Sequence, residues 1–167
     1  MIIRPIKESD YSYMYDFTQR AFTTAFVSDG NEQNYASDVR ASSEYVKELE
    51  YVAEEDGRIV GDVVFSTFKA NVGCKALLLN IACVELDFRN RGLGQSLIQV
   101  AIAKAIELGY EAVFVAGSPR FYNRLGFKQT TEYGLYNSNN YDDKYILCKE
   151  IKKDALANSK GSFDFAI

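Results

Sequence analysis

A chain of 167 residues, 47% apolar and 25% charged, is long enough to bury about 70% of its unfolded surface without disulfides or a metal. It has no histidine and only three scattered cysteines, Cys74, Cys83 and Cys148, which excludes Ser-His-Asp, Cys-His and His-zinc chemistry and argues against a disulfide framework. A net charge of −4 argues against general nucleic-acid binding, no apolar run approaches the roughly 18 residues of a membrane span, and MIIRPIKESD lacks a signal-peptide core, so a cytoplasmic protein is expected.

Residues 2–6 read as a first strand. Ser9 or Asp10 caps a helix from Tyr11 to about Phe22, with Tyr13, Phe17 and Ala21 on one face. A looser helical region covers 32–49, and 51–68 form a hairpin about Glu55-Asp56-Gly57-Arg58. After a turn at Asn71-Val72-Gly73, residues 75–86 are apolar almost throughout, as in a strand covered on both faces. DFRNRGLGQSLI, 87–98, then opens a helix in which Leu97, Ala101, Ala105 and Leu108 recur at helical spacing, Ile98 and Ile102 widen the stripe, and Gly109 closes the end.

Residues 111–117 read as another strand, and Ser118-Pro119 start a short helix ending at Gly126. The last clear strand is 144–150. Residues 152–162 are expected to be polar and mobile, with Phe163, Phe165 and Ile167 docking as a terminal strand. The order βα(α)βββαβαβ predicts the α/β class, a mixed central β-sheet flanked by helices, in one domain spanning 1–167.

From Phe88 to Lys128 six basic residues face two acidic ones, a local excess of +4 against −8 for the rest of the chain. The excess begins at the loop holding Gly92 and Gly94. A Rossmann fingerprint fails there because Leu97 stands where its third glycine belongs, and the Gly-Lys-Ser/Thr of a Walker loop is missing. What remains is a strand, a glycine-bearing loop and a helix N-terminus, whose free N–H groups and dipole suit a pyrophosphate.

Arg89-Asn90-Arg91-Gly92-Leu93-Gly94 resembles the Arg/Gln-x-x-Gly-x-Gly/Ala signature of the GNAT superfamily of acetyl-CoA-dependent N-acetyltransferases. Phe121-Tyr122-Asn123-Arg124-Leu125-Gly126-Phe127 resembles that family's aromatic-Tyr-x-x-x-Gly-Phe segment, and the stretch from Gly117 to Leu135 is similar to the bacterial YhbS-like group. The resemblance implies the GNAT (acyl-CoA N-acyltransferase) fold, acetyl-CoA as cosubstrate, no metal, and direct transfer to an amine. It implies that backbone groups of Ala82, Cys83 and Val84 meet the pantetheine arm. Amides from Arg89, Asn90, Arg91, Gly92, Leu93, Gly94, Gln95 and Ser96 would hold the pyrophosphate, and Arg120, Arg124 or Lys128 the 3′-phosphate. Where many members carry an asparagine shortly before the tyrosine, this chain has Gly117-Ser118-Pro119.

Tyr122 is the candidate general acid, since a phenol (about 10) is nearly matched to a departing thiolate (about 8.5). The base is unassigned: Leu78 stands where some relatives carry a glutamate, and Asn80, Glu85, Glu54 and Asp62 are alternatives, as is water. Asp29, Glu32, Tyr35, Asp38, Glu44 and Tyr45 cluster where the acceptor is expected, and the acidic balance favours a cationic small-molecule or peptide amine. Nucleic-acid and membrane partners are not expected, and both monomer and homodimer fit. A non-catalytic acyl-CoA-binding module and a different acyl donor are the rival readings.

Overall fold

The computed structural model describes residues 1–165 and divides into two compact units. The first comprises Met1–Ser66 with Asn80–Lys104; the second comprises Thr67–Leu79 with the chain from Ala105 on. Strand order is β1-β2-β3-β4-β5-β8-β6, mixed but mostly antiparallel, and β4 (Ala76–Val84) contributes residues to both units.

In the first unit β1 (Ile2–Pro5) pairs antiparallel with β2 (Tyr51–Glu55), and β2 with β3 (Arg58–Thr67). The turn between β2 and β3 places Asp56 and Gly57 at positive φ, 51° and 76°, the conformation a two-residue hairpin requires. Helices α1 (Tyr11–Thr23) and α2 (Glu32–Ala41) follow β1, and α3 (Leu93–Glu107) follows β4. One core gathers Met14, Phe17 and Ala21 of α1, Ala36 and Val39 of α2, and Val52, Val64, Ile81 and Cys83 of the strands.

The predicted face of α1 needs one correction. Tyr13 is 67% exposed, whereas Met14 and Thr18 are buried beside Phe17 and Ala21. The inward stripe follows the i, i+3, i+4, i+7 rows, which start at Met14 rather than Tyr13.

In the second unit β4 pairs parallel with β5 (Ala112–Ala116), and β5 antiparallel with β8 (Ile146–Glu150), which also pairs with β6 (Lys128–Gln129). The short helix α4 (Pro119–Tyr122) follows β5. A separate parallel pair, β7 (Leu135–Asn137) with β9 (Gly161–Phe163), was not legible in the sequence.

Residues 152–162, expected to be mobile, are instead folded. Leu156 is buried in the second core, Ser159 donates to the Val72 carbonyl, and the segment ends in β9. Phe163 and Phe165 dock against Phe68 and Phe114, while Ile167 lies outside the described residues.

Candidate functional site

The first unit carries the glycine loop. From the end of β4 the chain makes a 3-10 turn, Leu86–Phe88, closed by the Phe88 amide on Glu85 O at 2.9 Å and the Arg89 amide on Leu86 O at 3.2 Å. Asn90 and Gly92 then take φ of 60° and 78°, reversing the chain into α3. A side chain at Gly92 would be strained by that φ, yet no atom lies within 4 Å of where its Cβ would stand. The space over the loop is open.

The first bond of the α3 ladder runs from the Ser96 amide to Gly92 O, 3.0 Å, and the Ser96 hydroxyl donates to the same carbonyl at 3.1 Å. The amides of Leu93, Gly94 and Gln95 therefore precede the ladder and lack an intrahelical acceptor. They stand at the positive end of a 15-residue helix, where the dipole favours an anion. The Arg89 and Ser96 amides, by contrast, are taken by their own turns.

Leading to that helix end, β4 pairs with β5 from Ala76 to Leu78, and among the described residues this register goes no further along β4. Cys83 is buried, and Ala82 and Val84 are half-buried. The Val84 carbonyl accepts from Arg89 Nε at 2.8 Å. The Arg91 side chain is exposed, its guanidinium 5.8 Å from the Phe88 ring centroid.

The second unit carries the tyrosine motif. Ser118 accepts the amides of Phe121 and Tyr122, and Gly126 closes the following turn at φ 85°. Tyr122 is 9% exposed, its ring edge-on to Phe121 at 4.9 Å and Phe127 at 5.4 Å. Its hydroxyl makes no hydrogen bond among the described residues. Burial pushes the phenol well above its ordinary pKa, so Tyr122 keeps its proton at neutral pH. This widens the gap to a thiolate beyond the near match expected from unperturbed values.

Gly117 is fitted to the Tyr122 ring. A Cβ there would stand 2.3 Å from Tyr122 Cε2, so the ring packs directly on the backbone. Gly117→Ala is expected to force the ring aside at about 1–3 kcal/mol of stability, measured by urea denaturation. Arg120, Arg124 and Lys128 are all exposed; Lys128 lines a pocket of about 290 Å³ with Pro119, Asn123 and Glu132, which the two arginines do not join.

The base candidates are all engaged. Leu78 is core. Asn80 accepts from the Tyr35 hydroxyl at 2.8 Å and donates to Ser66 Oγ at 2.9 Å. Glu54 pairs with Arg4 at 2.7 Å, and Glu85 pairs with Arg58 and, at 3.6 Å, with Arg20.

Asp62 sits in a network that no local motif announces. Arg40 Nη2 donates to Glu50 Oε1 at 2.8 Å and to Asp62 Oδ2 at 2.9 Å, with both carboxyls fully buried. Tyr45 donates to Glu50, and its hydroxyl meets that of Tyr11 at 2.9 Å. One guanidinium cannot balance two buried carboxylates, and burial, with Glu50 alongside, raises the Asp62 pKa well above the carboxylate range. Asp62 therefore holds its proton more tightly folded than unfolded. Stability consequently falls as pH rises above about 4, by up to about 1.4 kcal/mol per pH unit, until the folded-state pKa is passed. Asp62→Asn is expected to flatten this slope in urea midpoints measured between pH 5 and 9.

Of the expected acceptor residues, Asp29 and Asp38 are exposed, and Glu32 accepts the Asp29 amide at 3.0 Å. Tyr35 and Tyr45 are committed to Asn80 and Glu50. Sequence reasoning missed Glu50 and Arg40. Both lie among other polar and charged residues in the sequence, Asp38 and Ser42 beside Arg40 and Lys47 and Glu48 beside Glu50, so nothing local marks them, and the pairing spans separations of 10 and 22 residues.

A family profile described as an acetyltransferase (GNAT) domain matches residues 47–129, which include the end of β4, the glycine loop at the start of α3 and the tyrosine motif. This stretch is a GNAT acetyltransferase domain. The GNAT family N-acetyltransferase YhbS from Escherichia coli, solved with CoA, superposes with a TM-score of 0.83 at 23% identity, over 99% of this chain and 89% of its own. A GNAT family acetyltransferase from Brucella melitensis, solved with acetyl-CoA, gives 0.75 at 23% identity over 99% and 95%. The ribosomal-protein-S18-alanine N-acetyltransferase of Escherichia coli gives 0.62 at 19% identity over 90% and 94%. These likenesses establish the GNAT fold. No curated relative matches the chain in sequence. No helix of the described residues is long and apolar enough to cross a membrane, and no group of three or more Cys, Asp or Glu side chains among them could hold a metal.

Proposed function

We propose that this GNAT protein, acting as one N-acetyltransferase domain, moves an acetyl group from acetyl-CoA directly to a primary amine. The observation that carries the reading is the run of Leu93, Gly94 and Gln95 amides ahead of the α3 ladder, below a loop open to solvent. That seat suits the CoA pyrophosphate, and the stretch of β4 beyond its register with β5 suits the amide-bearing pantetheine arm. The CoA-bound state of YhbS supports the same reading.

Tyr122 serves as general acid, delivering its proton to the CoA sulfur as the thioester C–S bond breaks. A buried phenol with a raised pKa gives up a proton only to a strongly basic partner, which a poorly solvated thiolate is. The amine proton leaves through water, because the carboxylates weighed as bases are held by arginines. Arg120, Arg124 and Lys128 supply positive potential for the 3′-phosphate. The acidic balance outside the CoA segment favours a cationic acceptor in the cytoplasm.

The test is thiol release from acetyl-CoA in the presence of a panel of polyamines, aminoglycosides and peptides with free N-termini or lysines. At least one amine is expected to be acetylated, and Tyr122→Phe is expected to lower turnover roughly 100-fold with CoA affinity retained. Tight acetyl-CoA binding with no acetylation of any amine would favour a binding module instead.

A further inference from the structure

The Arg89 side chain does not reach into the open space over the glycine loop. Its guanidinium spreads over three carbonyls: Nε to Val84 O at 2.8 Å, Nη1 to Thr24 O at 2.7 Å and Nη2 to Ala21 O at 2.6 Å. Ala21 and Thr24 close the C-terminus of α1, where orphan carbonyls and the negative end of the dipole favour a cation. One planar fork thus joins the end of β4 to the end of α1, a geometry that an ammonium cannot reproduce.

The loop beyond Thr24 depends on that fork. Among the described residues, the other hydrogen bonds of 24–31 are local: Thr24 hydroxyl to Ala21, Ala25 to Phe22, Asp29 to Glu32, Gly30 to Ser28 and Asn31 to Asp29, with Gln33, Asn34 and Tyr35 bonding back to Gly30 and Asn31. Phe26 and Val27 are exposed, so apolar packing does not anchor it either. Such a segment opens at low free energy unless a long-range contact restrains it. Arg89 is that contact, and it lies three residues before Gly92.

We infer that Arg89 is a positioning residue that passes the occupancy of the anion seat to the Thr24–Asn31 loop, so that this loop becomes ordered when a pyrophosphate is bound. The inference rests on reading the seat as a CoA site. An anion held by Leu93, Gly94 and Gln95 immobilises the chain from Arg89 onward. The fork then carries that rigidity to Ala21 and Thr24. Phe26 and Val27 consequently present a defined apolar surface only in the loaded protein.

Hydrogen–deuterium exchange of residues 21–31 tests this, with calorimetry reporting CoA binding separately. In the wild-type protein, CoA and 3′-phospho-ADP (the half of CoA that carries the pyrophosphate) are expected to slow exchange in this segment several-fold, and pantetheine to leave it unchanged. Arg89→Gln is expected to bind CoA within about tenfold of wild type, because the backbone seat remains, but to show no CoA-dependent slowing. Slowing that persists in Arg89→Gln, or that pantetheine alone produces, would overturn the inference. So would unchanged exchange in wild-type protein with CoA bound. Absence of calorimetric binding would instead overturn the CoA reading and the inference with it. Should Arg89→Gln fail to fold, the three-ligand comparison on the wild-type protein decides.

Discussion

Arg40→Ala is expected to destabilise the protein by about 3–5 kcal/mol, the loss typical when one partner of a buried ion pair is removed. For a chain of this size that lowers Tm by roughly 6–20 °C. Arg40 donates to both Glu50 and Asp62, and neither carboxyl has access to solvent. Without the guanidinium, one carboxyl must stay charged and unpaired in the core or both must take up protons. Asp62 Oδ1 already finds no hydrogen-bond partner among the described residues, so the site has no spare donor to compensate. Combining Arg40→Met with Glu50→Gln and Asp62→Asn removes the charges together and is expected to recover most of the loss. Thermal melts of the single and triple variants decide; equal Tm values would show that burial of charge is not the cause.

Replacing Gly92 and Gly94 together by glutamate is expected to lower affinity for acetyl-CoA by roughly 100-fold or more, read by calorimetry. The substitution puts two carboxylates at a seat made of N–H groups and a helix N-terminus, so steric exclusion and charge repulsion act together. At Gly92 the φ of 78° strains any side chain by about 1–2 kcal/mol, but there is nothing for it to collide with. At Gly94, inside α3, a glutamate recovers about 0.5–1 kcal/mol of helix propensity. A folded variant that binds acetyl-CoA as tightly as wild type would remove the loop from the CoA site.

Element type was legible wherever hydrophobic period and punctuation agreed. The β2–β3 hairpin follows from Asp56-Gly57, the buried β4 from its continuous apolar run, and α3 from Leu97, Ala101 and Ala105 between a glycine loop and Gly109. The turn of the glycine loop into α3 was legible for the same reason: it depends on local conformation, which Gly92 and the helix start specify. The β7–β9 pair was not legible, because a three-residue strand shows no period and its partner lies 26 residues away in sequence. Docking of Phe163 and Phe165 was legible from their alternation, but the order of 152–162 was hidden, since Leu156 reads as an isolated apolar residue until the second core is brought to it.

The sequence by itself determined the α/β order, the GNAT motifs, and the absence of histidine chemistry, because these depend on residue type and short-range spacing. Only the tertiary structure decided what the long side chains do. Arg89 is spent on Val84, Ala21 and Thr24 rather than on open solvent, and Asp62 is locked to Arg40 beside Glu50. Tyr122 is buried against Gly117, which raises its pKa. A guanidinium or carboxyl acts over several ångströms on whatever the fold brings near, and those partners lie up to 68 residues away in the chain.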